Sequence, residues 1–411
     1  MEALNRRRFF AASALGAAAL AARGNAAEPG KPVVNPIAEA NNMFNTEMFR
    51  QFITKPGNVF FSSFSIEAAF GMLAAGAKGE SLTQLQKAFH LPEAMPNTHA
   101  GFKALFAALN DPKVPAEKRG FELAVANALW GASTYPWKKE YIATVTGNYG
   151  AGLFDTDFAK PEVARKRINS WVEEQTRDKI KDLLPMGSVT DMTRLVLTNA
   201  IYFKGKWELE FDKKLTKDAP FTMAGGKKTD VPMMHKSAGF MYGESETMKA
   251  LELPYIGKET SMLVMLPKKA GTLSAIEQKI TSKEIDGLIQ GLRYEKTVIL
   301  SLPKFKIETD YELSSPLKQL GVTDVFSAKA DLTGMHTGGE HLSVTAAVHK
   351  AFVEVDEKGT EAAAATGIVV GTTSVQIPKP PKEFKADHPF LFAIRHKPTN
   401  TILFFGKVEK F

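Results

Sequence analysis

The spacing of apolar residues changes character once along this chain, and that change restricts the architectures open to it. Before Trp207 most apolar residues recur at helical spacing, and after it they alternate or run together between Gly, Pro and Lys turns. "PIAEANNMFNTEMFRQFI" (Pro36 to Ile53) reads as a helix, and "SIEAAFGMLAAGAKGESLTQLQKAF" as two shorter ones with Gly79 as the break. "FELAVANALWGAS" reads as a strand, "EVARKRINSWVEEQTRDKIKDLL" as one long amphipathic helix, and "RLVLTNAIYFKG" as a strand buried on both faces. Beyond Trp207, "GKKTDVPMMHKSAGFMYGE", "MKALELPYI", "TSMLVMLPKK" and "KTVILSLPKFKIET" read as strands, with helices only at "LSAIEQKI", "KEIDGLI" and "YELSSPLKQLG". "HPFLFAIRH" and "NTILFFGKVEKF" are the last two strands. Helices in front and antiparallel strands behind predict an α+β fold with large sheets, not an alternating βαβ array.

At roughly 150 residues per domain, 411 residues would make two or three domains. No composition shift or fixed-period repeat divides them, so one large domain is expected. With 44% hydrophobic and 24% charged residues the chain can bury a large core, which excludes disorder. The net charge of +7 falls to +4 without Glu2, Arg6, Arg7, Arg8 and Arg23, and the remaining basic residues are scattered, so no nucleic-acid partner is expected. The absence of cysteine excludes disulfides, thiolate zinc sites, a cysteine nucleophile and a lipoprotein anchor.

The N-terminus reads as an address. "NRRRFFAASALGAAALAARGNAAEPG" has a charged start, an apolar run from Phe9 to Ala22 too short to span a bilayer, and small residues near Ala26 where a signal peptidase could cut. Arg6 and Arg7, followed after one residue by Phe9 and Phe10, resemble a bacterial twin-arginine export signal. Residues 1–26 are therefore expected to be an export signal, and the mature chain to be periplasmic or secreted without a membrane anchor.

Catalytic chemistry is hard to find. There is no phosphate loop, HExxH or GxSxG, and "GNYGAG" (Gly147 to Gly152) has the wrong spacing for a dinucleotide site and reads as a loop. The eight histidines offer no i, i+4 pair, so neither a metal nor a cofactor is expected. His349, inside an apolar strand, reads as a buried hydrogen-bonded histidine. A hydrolase assembled from distant Ser, His and Asp residues stays open at this level, with nothing to favour it.

One stretch resists a single assignment. "EKGTEAAAATGIVVGTTSV" (Glu357 to Val375) has helix-forming composition in its first half and β-branched residues in its second. Read locally, it is a helix from Thr360 as N-cap to Gly367, followed by a short strand.

Six segments, in order, resemble signatures of the serpin family: "NVFFSSFSI" (Asn58 to Ile66), "LTNAIYFKGKWELEF" (Leu197 to Phe211), "DVPMMHKSAGF" (Asp230 to Phe240), "LSLPKFKIETDYELSSPLKQLGVTDVFSAKADLTGM" (Leu300 to Met335), "AAVHKAFVEVDEKGTEAAAAT" (Ala346 to Thr366) and "ADHPFLFAIRH" (Ala386 to His396). Ser63 departs from the pattern, since the family commonly has proline there. The resemblance implies a single serpin domain over 35–411 with three sheets, about nine helices and an exposed reactive-centre loop at about 357–385. It implies a suicide-substrate inhibitor of serine proteases, not an enzyme. A target protease attacks the loop and is trapped as a covalent acyl-enzyme when the cleaved loop inserts into the main sheet. A monomer is expected. The alternative is a non-inhibitory member acting as a binding or chaperone protein.

The same resemblance assigns residues. The hinge is Glu357, Gly359, Thr360, Glu361, Ala362, Ala363, Ala364, Ala365 and Thr366, and Ser62, Ser65, His349 and Trp207 belong to the region where the sheet opens. Strand alternation from Thr360 turns Thr360, Ala362, Ala364, Thr366, Ile368 and Val370 to the core, all small or apolar, with Glu361 on the solvent side. The family's usual spacing, sixteen residues beyond the hinge glutamate, sets the reactive bond between Thr373 and Ser374. Counting back from "HPF" gives Pro378 instead, because this loop is about five residues longer there; the forward count is preferred, since the inserted length fixes where the protease ends up. Thr373, preceded by Gly371 and Thr372, suits an elastase-like or subtilisin-like target, with Val370 and Thr372 as secondary sites.

Overall fold

The computed structural model describes residues 35–110, 120–338, 341–360 and 380–411. The export signal, the hinge beyond Thr360 (Glu361 to Thr366) and the reactive bond Thr373–Ser374 lie outside them.

Nine α-helices are found among the described residues: α1 (Pro36–Phe52), α2 (Ser63–Ala74), α3 (Gly79–Ala88), α4 (Met95–Leu109), α5 (Lys139–Tyr149), α6 (Pro161–Gln175), α7 (Leu273–Glu277), α8 (Ser282–Gln290) and α9 (Ser314–Gln319). Their ends follow local chemistry. Asn35 caps α1 by accepting the Ile37 N–H at 2.9 Å, with Pro36 at the first helical position. Thr281 and Glu284 form a reciprocal capping box on α8. The expected long helix after Pro161 stops early, at Gln175, because Arg177 and Asp178 both take positive φ (52° and 60°) and Thr176 turns its hydroxyl onto the Val172 carbonyl at 2.8 Å. "GNYGAG" is not a loop throughout: Gly147 to Tyr149 end α5, Gly150 caps it at φ +61°, and Gly152 opens the next strand.

The strands are β1 (Val59–Phe61), β2 (Phe121–Ala132), β3 (Gly152–Thr156), β4 (Leu195–Lys206), β5 (Lys217–Thr222), β6 (Lys228–Glu244), β7 (Met248–Pro254), β8 (Thr260–Pro267), β9 (Arg293–Pro303), β10 (Phe305–Glu312), β11 (Ala346–Asp356), β12 (Gly359–Thr360), β13 (Lys382–Lys385), β14 (Phe390–His396) and β15 (Thr401–Val408). The main sheet runs β10-β11-β12-β4-β2-β3. The other strands form one continuous ladder, β1-β15-β14-β8-β7-β6-β9-β13 with β5 on β6. An irregularity between Ala238 and Phe240 bends the long β6: its first part pairs with β5 and β9, and its second part, still beside β9, also pairs with β7, which leads to the rest, so the ladder counts as two sheets. That gives three sheets in an α+β arrangement, as expected.

All of α2 is buried, because it packs against β15 on one side and β2 and β4 on the other. A helix between two sheets has no solvent face, which is why its sequence is mostly apolar all round, with Ser63, Ser65 and Glu67 as buried exceptions. Its first turn reaches the centre of the main sheet.

Candidate functional site at the split in the main sheet

β11 and β4 run parallel and pair directly from Ala346↔Val196 to Phe352↔Tyr202. Above that point they separate, and β12 lies between them, antiparallel to both: Thr360 pairs with Val355 and Gly205, and Gly359 with Asp356 and Lys206. The chain that leaves β11 therefore turns back at once into the head of the gap. Gly359 permits it: its φ is +151°, and a Cβ there would lie 2.1 Å from the Gly205 carbonyl oxygen. Asp356 makes the turn by accepting the N–H groups of Lys358 (2.9 Å) and Gly359 (3.2 Å).

A set of side chains holds this entry point. Trp207 donates its indole N–H to the Asp356 carbonyl at 2.9 Å and its backbone N–H to the Lys358 carbonyl at 3.0 Å. It stacks on Tyr255 at 4.7 Å between ring centres, and the Tyr255 hydroxyl meets the fully buried Thr360 hydroxyl at 2.8 Å. Glu357 is buried; Lys304 donates to its carboxylate at 2.9 Å and Thr216 at 2.9 Å. Burial alone would raise the Glu357 pKa, but these hydrogen bonds outweigh it and hold the carboxyl below its ordinary value.

Lower down, one polar row crosses the apolar sheet. Tyr311, His349, Asn199 and Asn127 are successive cross-strand partners on β10, β11, β4 and β2. His349 accepts the Ser62 N–H on Nε2 at 3.1 Å, so its proton is on Nδ1, which donates to Asn199 Oδ1. Asn199 Nδ2 donates to Asn127 Oδ1 (2.7 Å) and Ser65 Oγ (2.8 Å), and the Ser65 hydroxyl donates to Asn127 Oδ1 (2.9 Å). Ser62 caps α2 and donates its hydroxyl to the Leu403 carbonyl on β15 at 2.6 Å. Separating β11 from β4 must break the His349–Asn199 link, so this network ties the two strands together below β12. Ser63, at the first helical position of α2, keeps a buried hydroxyl with no partner among the described residues; proline there would lose nothing.

Burial holds the His349 pKa down at about 3. The native protein therefore binds fewer protons than the unfolded chain below the ordinary imidazole value of 6.5. The stability His349 contributes is complete above that value and is lost as pH falls toward 3. Urea midpoints of the wild type should fall by the equivalent of roughly 2–3 kcal/mol more than those of His349→Gln between pH 7 and about 4.5. Parallel pH profiles for the two proteins would refute a neutral buried His349.

Glu357, Gly359, Thr360 and Trp207 thus come together at the mouth of the split, and Ser62, Ser65 and His349 along its closed part. Thr360 is a strand residue, not a helix N-cap. Sequence reasoning missed Asn199, Asn127, Tyr255, Lys304 and Thr216. Only the asparagines carried a signal, as polar residues in the middle of "LTNAIYF" and "AVANALW". Among the described residues no group of three His, Asp or Glu side chains could hold a metal, and no helix is long and apolar enough to cross a membrane.

The site is thus a large sheet whose strands β11 and β4 part at one end, with β12 paired between them. The family model described as serpin (serine protease inhibitor) matches residues 39–411, and this chain belongs to the serpin family. It is 42% identical over 386 residues to the leukocyte elastase inhibitor of Bos taurus, covering 91% of this chain and 99% of that one. The crystal structure of Serpin48, a highly specific serpin of the insect Tenebrio molitor, superposes with a TM-score of 0.82 at 30% identity, covering 93% of this chain and all of that one. Human thyroxine-binding globulin, complexed with its hormone, gives 0.81 at 30% identity, covering 92% and 98%.

Proposed function

We propose that this protein is a suicide-substrate inhibitor of an elastase-like or subtilisin-like serine protease, exported through its N-terminal signal and acting as a monomer. The protease attacks the loop, the acyl-enzyme forms at Thr373, and insertion of the freed segment below Thr360 outruns deacylation. The chain supplies no catalytic group. Its contribution is the energy withheld in the closed sheet.

The observation that carries this reading is the seating of Gly359 and Thr360 between β11 and β4. Insertion exchanges one parallel strand interface for two antiparallel ones, which are at least as stable per residue. A full strand adds roughly a dozen backbone hydrogen bonds at about 1 kcal/mol net each. The native state is then held by a kinetic barrier, of which the His349–Asn199 latch is a part. The residues that would follow Thr360 on the core side are small or apolar, so nothing in them opposes closure. Similarity to a leukocyte elastase inhibitor agrees with the size of Thr373 as the primary specificity residue.

Similarity to a hormone-binding globulin favours a second reading, a non-inhibitory carrier. Incubation with pancreatic elastase and with subtilisin separates the two. The expected result is a detergent-stable covalent complex and a released C-terminal fragment that begins at Ser374. A fragment beginning at Lys379 or later, or equally efficient trapping of trypsin, would overturn the assignment of the bond. Cleavage without any complex would favour the carrier.

A further inference from the structure

Glu67, in the middle of α2, is fully buried, and neither of its carboxyl oxygens has a hydrogen-bond partner among the described residues. Such a group is costly to bury neutral and far costlier to bury charged. The network around His349 makes no use of it. Ser63, one turn earlier on the same face of α2, also keeps a hydroxyl without a partner among the described residues. Gly71, one turn later, shows where this face points: a Cβ there would lie 2.8 Å from the Phe102 ring of α4 and 3.0 Å from the Tyr149 ring of α5. Glu67 therefore lies on the stripe of α2 that meets α4 and α5.

Two phenols hold α5 on that stripe. Tyr141 donates to the Met72 carbonyl at 2.9 Å and Tyr149 to the Gly71 carbonyl at 3.1 Å, and His99 of α4 meets the Tyr149 hydroxyl through Nδ1 at 2.8 Å. These are the titratable groups that the packed elements bring to Glu67: Tyr141 and Tyr149 from α5, and His99 from α4 behind Tyr149. No charged group of α1, α3, β2, β4 or β15 offsets its burial, which alone raises the Glu67 pKa well above the ordinary carboxyl value. Burial raises both phenols as well, with the Glu67 charge adding to the rise at Tyr149, and it lowers His99. Between about pH 7 and 9 Glu67 is then the one member of this cluster whose charge can change.

We propose that Glu67 is a proton-operated catch on the contact between α2 and α5: the neutral acid lets α5 dock, and the carboxylate is accommodated only once α5 has lifted and water has entered. Undocking then releases the carboxyl proton to water. The docked contact is most stable below the ordinary value of 4.5 and loosens by up to about tenfold per pH unit as pH rises toward the raised value. α5 joins β2 to β3 in the chain, so its release loosens the half of the main sheet that a strand entering beside β4 would push aside. The catch belongs to the uncleaved protein and is tested without a protease.

Amide hydrogen exchange in α5, measured at each pH side by side in the wild type and Glu67→Gln, cancels both the intrinsic pH dependence of exchange and the titration of His99. The wild-type to variant rate ratio for α5 should rise about tenfold or more between about pH 5.5 and 7.5. It should stay level in α8, which packs on α1 and β6. Glu67→Met, uncharged and of similar length, should behave as the glutamine variant does. A ratio for α5 that does not change with pH, or one that rises equally in α8, would overturn the proposal. Carbon-13 NMR of the wild type with labelled glutamate keeps it testable if the variants fail to fold: one carboxyl resonance titrating far above the rest supports the catch, and ordinary titration of every glutamate refutes it.

Discussion

Cutting the loop near Thr373 without trapping a protease should raise the melting temperature by about 13 °C. The uncleaved chain seats only Gly359 and Thr360 in the main sheet and leaves β11 and β4 paired below them. Once the loop is free, the following residues can continue downward, exchanging seven parallel cross-strand pairs for two new antiparallel interfaces. A gain of roughly a dozen hydrogen bonds, about 10 kcal/mol in all, corresponds to that shift for a domain of this size. Scanning calorimetry before and after loop cleavage by a catalytic amount of a metalloprotease, which forms no acyl-enzyme to be trapped, with the fragments kept together, makes the comparison. A melting temperature that moves by only a few degrees would mean that the loop does not insert, and the inhibitor reading would fall with it.

Thr360→Arg should turn the protein from an inhibitor into a substrate. Thr360 is fully buried between Val355 and Gly205, with its hydroxyl on Tyr255. A guanidinium placed there has no acid to pair with among these neighbours, and burying it costs several kcal/mol. The first pair of β12 would be expelled and the head of the gap left without its wedge. A penalty of that size slows insertion by about a hundredfold or more, long enough for the acyl-enzyme to hydrolyse. Loop cleavage should continue at an unchanged rate while the fraction of protease held in covalent complex drops to near zero. Complex formation at the wild-type ratio would show that the alternation from Thr360 is wrong. Thr360→Val, which keeps the volume and loses only the Tyr255 hydrogen bond, should inhibit almost normally and so isolates charge from packing.

The two halves of the site differ in how legible they were. Periodicity gave α1, β2, β4 and the closing pair β14–β15 nearly to the residue, since each is long and its burial pattern is set by the neighbours it must cover. The helix after Pro161 was overextended because Arg177 and Asp178 are ordinary helix-compatible residues whose positive φ is imposed by the turn that carries Thr176 back onto Val172. His349 was read as a buried, hydrogen-bonded residue, and it is one. Its partners could not be read, because the register that aligns it with Asn199 joins positions 150 residues apart.

What the sequence alone determined about this protein is local and compositional: an α+β order of elements, the absence of thiol chemistry, and a run of small residues after Thr360 that can lie in a strand without burying a charge. These follow from each residue's own size, polarity and period. Only the tertiary structure decided that β11 and β4 are neighbours yet part at Val353, that Gly359 must lack a side chain because the Gly205 carbonyl occupies its place, and that Lys304 and Thr216 hold Glu357 at the root of the loop. Pairing between distant strands depends on which buried surfaces complement one another across the whole domain, and that complementarity belongs to no single stretch of chain.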